Sequence, residues 1–78
     1  MPEVMVITGT RKGIGRYLLD HYLRQGYIVA GCSRGEFEGE LPENYHHYCV
    51  DVSDEDGVVN MVRDVSRRFG NISVLINN

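Results

Sequence analysis

The sequence predicts an α/β fold built on a parallel sheet. Three observations point to it: short apolar runs rich in β-branched residues, two segments whose apolar residues recur at helical spacing, and regular alternation of the two kinds along 78 residues. Val4-Met5-Val6-Ile7 is a continuous apolar run ending at Thr8-Gly9, as expected of a strand buried on both faces. From Gly13 to Gln25 the period changes. Ile14, Leu18, Leu19, Tyr22 and Leu23 share one side of a helix, Arg16, Asp20 and Arg24 fall elsewhere, and Gly26 stands where a helix cap would. Tyr27 to Cys32 reads as a second strand that Gly31 weakens slightly. Ser33 to Asn44, with Glu36, Glu38, Glu40, Glu43, Gly35, Gly39 and Pro42, reads as a solvated surface loop.

Tyr45 to Val50 is the third strand, ending at Asp51. Ser53 followed by Asp56 resembles a capping box opening a second helix, whose apolar face is Val58, Met61, Val62, Val65 and Phe69 and whose end is Gly70. Arg63, Arg67 and Arg68 fall on its wet side. Ile72 to Ile76 is a fourth strand, followed by Asn77-Asn78. Right-handed crossovers then give the spatial order 3-2-1-4, with the first helix on one face and the second on the other. The switch point falls between the first and fourth strands, and ligands bind beyond the carboxyl ends of such strands.

Bulk properties narrow the function classes. At 42% hydrophobic and 24% charged the composition is that of a globular chain, not a disordered one. A unit of this length buries only about 60% of its unfolded surface, so it is marginal alone. The net charge of −3 gives no ground for nucleic acid or an anionic membrane as partner. No apolar run approaches the roughly 18 residues of a membrane span. Cys32 and Cys49 are far apart in sequence and are expected as inert buried thiols in a reduced, cytoplasmic setting. His46 and His47 are consecutive, so a strand points them to opposite faces and they cannot chelate one metal together; no metal ligands are expected.

The chemistry lies in Thr8-Gly9-Thr10-Arg11-Lys12-Gly13-Ile14-Gly15, between the first strand and the first helix. Glycines let the backbone turn sharply and approach a phosphate, and the helix start offers free N–H groups and a positive dipole end. Only three residues separate Gly9 from Gly13, and Lys12 precedes the second glycine, which excludes an ATP- or GTP-type phosphate loop. Leu18 stands where the third glycine of G-x-G-x-x-G would be. What fits is T-G-x-x-x-G-x-G, which resembles the signature of the short-chain dehydrogenase/reductase family. Three further positions carry the same resemblance. Asp51-Val52 resembles the family's D-V pair after the third strand. Asn77-Asn78 resembles the first half of its N-N-A-G motif, and Ser33-Arg34 resembles the end of the second strand in NADP-using members. Taken alone, Asp51 also fits a loop carboxylate, and the two asparagines fit ordinary strand-end hydrogen bonding.

The resemblance implies a Rossmann-type doubly wound parallel sheet, incomplete over this stretch, with residues 1–78 as the N-terminal dinucleotide-binding portion of a single domain. It implies an oxidoreductase that moves hydride between NADP(H) and a carbonyl or alcohol substrate. Gly9, Arg11, Lys12, Gly13, Ile14 and Gly15 would bind the cofactor at the turn. Ser33 and Arg34 would bind it at the ribose, Asp51 and Val52 at the adenine, and Asn77 beside them. NADP is expected over NAD because Ser33-Arg34 occupies the place where an NAD site commonly has a carboxylate, and because Lys12 matches a basic position of NADP-using relatives. Arg11 is left open between the phosphate and solvent. Thr10-Arg11 departs from the Ala-Ser more usual in the turn. The family's catalytic Tyr-x-x-x-Lys is absent, since Lys12 is the only lysine and no tyrosine precedes it by four, so no catalytic residue is assigned. The chain is therefore expected to be part of a longer enzyme, in which a homo-oligomer is open. A non-catalytic dinucleotide-binding module is the competing reading.

Overall fold

The computed structural model describes residues 2–11 and 13–78. Six elements follow in order: β1 (Val4–Thr8), α1 (Gly13–Arg24), β2 (Ile28–Ser33), β3 (Tyr45–Cys49), α2 (Glu55–Phe69) and β4 (Ile72–Ile76). The strands form one parallel sheet in the order β3-β2-β1-β4, as expected from the sequence. β2 begins and ends one residue later than its apolar run suggested, because Cys32 and Ser33 stay in register with Tyr48 and Cys49 of β3.

Alternation along the strands sorts the core into two halves. Met5, Ile7, Val29 and Tyr45 face α1 and pack with its buried Leu19, joined by Leu18, Tyr22 and Leu23. Val4, Val6, Ala30 and Cys32 face α2 and pack with Met61 and Val65, joined by Val62 and Phe69. The helices thus cover opposite faces, and β1, the strand between them, is buried along its whole length. Burying each large aliphatic side chain of this kind contributes about 1.5–3 kcal/mol. His46 and His47 do point to opposite faces: His46 packs on Phe69 beside α2 and His47 lies near Phe37 on the α1 side.

Two local expectations are corrected. Ser53 does not cap α2. Asp54 does, its carboxylate accepting from the Gly57 amide at 3.1 Å, while the Ser53 amide and hydroxyl both donate to Asp51. The shorter Asp51–Ser53 turn takes the serine before it can reach the helix, and Asp54 is one residue nearer the first turn. Of the two cysteines only Cys32 is buried; Cys49, at the end of an edge strand and on the other face, is exposed.

Candidate functional site

The turn after β1 is held from three sides. Its Gly9 and Thr10 amides both donate to the Cys32 carbonyl of β2, at 2.9 and 3.3 Å. Gly9 and Gly13 take φ values of 70° and 68°, a region other residues enter only under strain. Gly15 is required for a different reason. A Cβ there would lie 1.8 Å from the Gly9 carbonyl oxygen, so the absent side chain lets α1 dock directly on the turn. Beyond Gly13 the space is open, and Ile14 is 71% exposed. The first turn of α1 thus presents backbone N–H groups with no acidic side chain to compensate them, unlike α2, which begins with Glu55 and Asp56.

The end of β4 clips this turn in place. The Asn78 amide donates to the Thr8 hydroxyl at 2.9 Å, the Thr8 hydroxyl donates to the Asn77 side-chain oxygen at 3.2 Å, and the Asn78 side chain donates to the Gly9 carbonyl at 3.2 Å. The strand-end hydrogen bonding that the asparagines suggest is therefore what they perform, and Thr8 is the partner they share.

The remaining candidates approach from β2 and β3. Ser33, Arg34, Asp51 and Val52 line one groove together with Gly9, Cys32 and Val50. Gly9, Ser33 and Arg34 also line an adjoining pocket, together with Arg11. Arg11 leans across the segment after β2: its guanidinium pairs with Glu38 at 3.2 Å and lies so near Gly35 that a Cβ there would meet it at 2.9 Å. A third, apolar groove between α2 and β4 is lined by Thr8, Val52, Met61, Leu75 and Asn77, so Val52 borders both sides. Lys12, the other basic candidate of the turn, lies outside the described residues.

The groove carries one basic side chain, Arg34, and one fixed acid, Asp51. The Asp51 carboxyl is held below its ordinary range, chiefly by the Ser53 amide and hydroxyl and also by the charge of Arg34. The Ser33 hydroxyl is turned inward and donates to the Gly35 carbonyl at 2.7 Å, so this side chain shapes the loop. Sequence reasoning missed the residues beneath the groove. Gly31, read only as a weak point in a strand, is empty because Thr10 and the Tyr45 hydroxyl occupy its space; a Cβ would meet them at 2.4 and 2.6 Å. The Tyr45 hydroxyl, pushed up to about 12 by burial, stays protonated and serves as a structural donor. No local sequence signal gives this, since Thr10, Gly31 and Tyr45 meet only once the register is set.

Comparison with known proteins agrees with this architecture. A family model described as short chain dehydrogenase matches residues 3–78. An uncharacterized oxidoreductase of Schizosaccharomyces pombe is 37% identical over 77 residues, covering 97% of this chain and 26% of that protein. The farnesol dehydrogenase of Aedes aegypti is 31% identical, covering 97% and 35%. Among solved structures, ElxO with NADP bound superposes with a TM-score of 0.89 at 31% identity, covering all of this chain and 35% of its own. A short chain dehydrogenase of Leptospira borgpetersenii with bound NAD+ shares the fold at a TM-score of 0.84 and 17% identity. The chain spans about a quarter to a third of the length of these relatives. With the family model matched from residue 3 to residue 78 and the same fold in solved members, the chain belongs to the short-chain dehydrogenase family.

Proposed function

We propose that this chain supplies the dinucleotide-binding part of a cytoplasmic, NADP(H)-dependent oxidoreductase acting on a carbonyl/alcohol pair. The observation that carries the reading is the convergence of Gly9, Arg11, Ser33 and Arg34 on one pocket, with no carboxylate among them. An NAD site commonly uses an acid at this point to bind the ribose 2′-hydroxyl; two arginines instead suit a 2′-phosphate. The NADP held by ElxO is in keeping with this.

The residues fit such a cofactor. The open backbone at Gly13 and the uncompensated start of α1 suit the pyrophosphate, with Gly15 and Ile14 in the first turn. Arg34 and Arg11 would take the 2′-phosphate, with Lys12 closing from the turn. The Ser33 backbone borders the ribose, Asp51 and Val52 the adenine, and Asn77 the strand end beyond. Bound there, the cofactor would supply or accept hydride, and this stretch of chain would bind and orient it. The acid/base group for the substrate oxygen is not assigned to any of these residues.

The test uses the full-length protein. Arg34→Ala and Lys12→Ala should each weaken NADPH binding roughly ten- to a hundredfold, the worth of one charge-assisted hydrogen bond, and leave NADH binding almost unchanged. NADPH-dependent reduction of at least one member of a carbonyl panel should accompany binding. No change of affinity in either variant would refute the phosphate site, and tight binding without any turnover would favour the non-catalytic module.

A further inference from the structure

A continuous polar chain runs beneath the groove on the α1 face of the sheet. Thr10, fully buried, shares a 2.5 Å hydrogen bond with the Tyr45 hydroxyl in the space left by Gly31. The Tyr45 hydroxyl is 2.6 Å from His47 Nδ1. His47 Nε2 is 3.0 Å from the Gly35 carbonyl oxygen and 3.1 Å from Ser33 Oγ, whose hydroxyl also points at the Gly35 carbonyl. Phe37 covers the chain, packing on both the Tyr45 and His47 rings, and Arg16 lies over the Phe37 ring.

Hydrogen-bond roles fix the direction of this chain. A carbonyl oxygen only accepts, so His47 places its proton on Nε2 and donates to Gly35. Nδ1 is then an acceptor and takes the Tyr45 O–H, and Tyr45 in turn accepts from Thr10. Each hydroxyl and ring nitrogen has its partner in this arrangement, as buried polar groups require. The consequence falls on the segment Ser33–Gly35, which is anchored at both of its ends to one imidazole and carries Arg34 between them.

We propose that His47 is a positioning residue for recognition of the 2′-phosphate. Anchoring Ser33 and Gly35 from below, it holds the segment so that Arg34 lines the same pocket as Arg11. The inference rests on the NADP(H) reading above. NAD(H) lacks the group that these arginines address, so its binding depends less on the anchor, through the ribose alone.

In the full-length protein, His47→Phe keeps a ring against Phe37 and removes both nitrogens. Its ratio of NADPH to NADH affinity should fall roughly tenfold, about the net worth of a buried hydrogen-bond anchor, while NADH affinity holds within about twofold. His47→Gln, which retains a far N–H donor, should recover part of the ratio. Tyr45→Phe, which leaves Nδ1 without its donor, should lower it in the same direction and decides the matter if His47→Phe does not fold. A wild-type preference for NADPH that survives both His47→Phe and Tyr45→Phe, or equal weakening of both cofactors, overturns the role of His47 and leaves the cofactor reading standing. Equal affinity of the wild type for the two cofactors overturns both.

Discussion

Replacing Gly15 with alanine would drive a methyl group into the backbone of the glycine turn. The added Cβ would sit 1.8 Å from the Gly9 carbonyl oxygen and 2.7 Å from its carbonyl carbon. Ordinary carbon–oxygen contacts are about 3.3–3.6 Å, so α1 must retreat by about 1.5 Å or the turn must deform. No flexible side-chain end can absorb the clash at Gly9, because the atoms met there are backbone and the Gly9 amide is itself bonded to Cys32. Overpacking of this kind costs about 1–3 kcal/mol. For a domain of 150–250 residues that lowers Tm by about 2–12 °C. The same displacement pulls the first turn of α1 away from the groove, and losing even one charge-assisted contact weakens cofactor binding about ten- to a hundredfold. Gly26→Ala separates the two effects. Gly26 has a φ of 90° with open space around it, on the far side of α1, so alanine there costs about 1–2 kcal/mol of backbone strain and leaves affinity unchanged. Thermal unfolding and cofactor titration of the two full-length variants are the assay. Wild-type affinity in Gly15→Ala would refute the argument that docking of α1 on the turn builds the site.

Three further outcomes are expected. Asp54→Ala should destabilise the fold by about 1 kcal/mol through loss of the α2 cap, whereas Ser53→Ala should leave helix content at the wild-type level; denaturant unfolding of both checks this. Asp64 is held below the ordinary aspartate range first by the Tyr48 hydroxyl and then by Arg68 and Arg67. Because its folded value is depressed, its contribution is complete above the unfolded value of about 4 and is lost as pH falls through the folded one. Acid unfolding should therefore be shallower in Asp64→Asn than in wild type, and parallel curves would contradict this. Residues 1–78 expressed alone should show no NADPH turnover on a carbonyl panel, since the family's Tyr-x-x-x-Lys pair does not occur in this sequence; turnover surviving purification controls would disprove it.

Element order and sheet topology were legible in the sequence because each element carries its own period and each boundary its own glycine or polar stop. The five residues of β1 are apolar up to Thr8 and are buried on both sides, and the two helices show one apolar stripe each. The α2 start was misread because Ser53 and Asp54 are both good caps, and only the competing Asp51–Ser53 turn decides between them. The candidate cofactor residues were found as four separate motifs, and the structure brings those of the turn, β2 and β3 to one groove. The layer beneath was not legible. Thr10, Gly31, Tyr45 and His47 are ordinary residues on one turn and two strands, and their hydrogen-bonded chain exists only because parallel register sets Gly31 opposite His47. The side of the turn that Arg11 takes was equally undecidable, since its partner Glu38 lies 27 residues away in a loop without periodicity.

Direct titration of the full-length wild-type protein with NADPH and NADH tests the central claim most directly. With Arg11 and Arg34 facing one pocket and no carboxylate among its lining residues, NADPH should bind at least about tenfold more tightly than NADH, and raising ionic strength should narrow the gap. Equal affinity for the two, or a preference for NADH, would contradict the assignment of this groove to a 2′-phosphate.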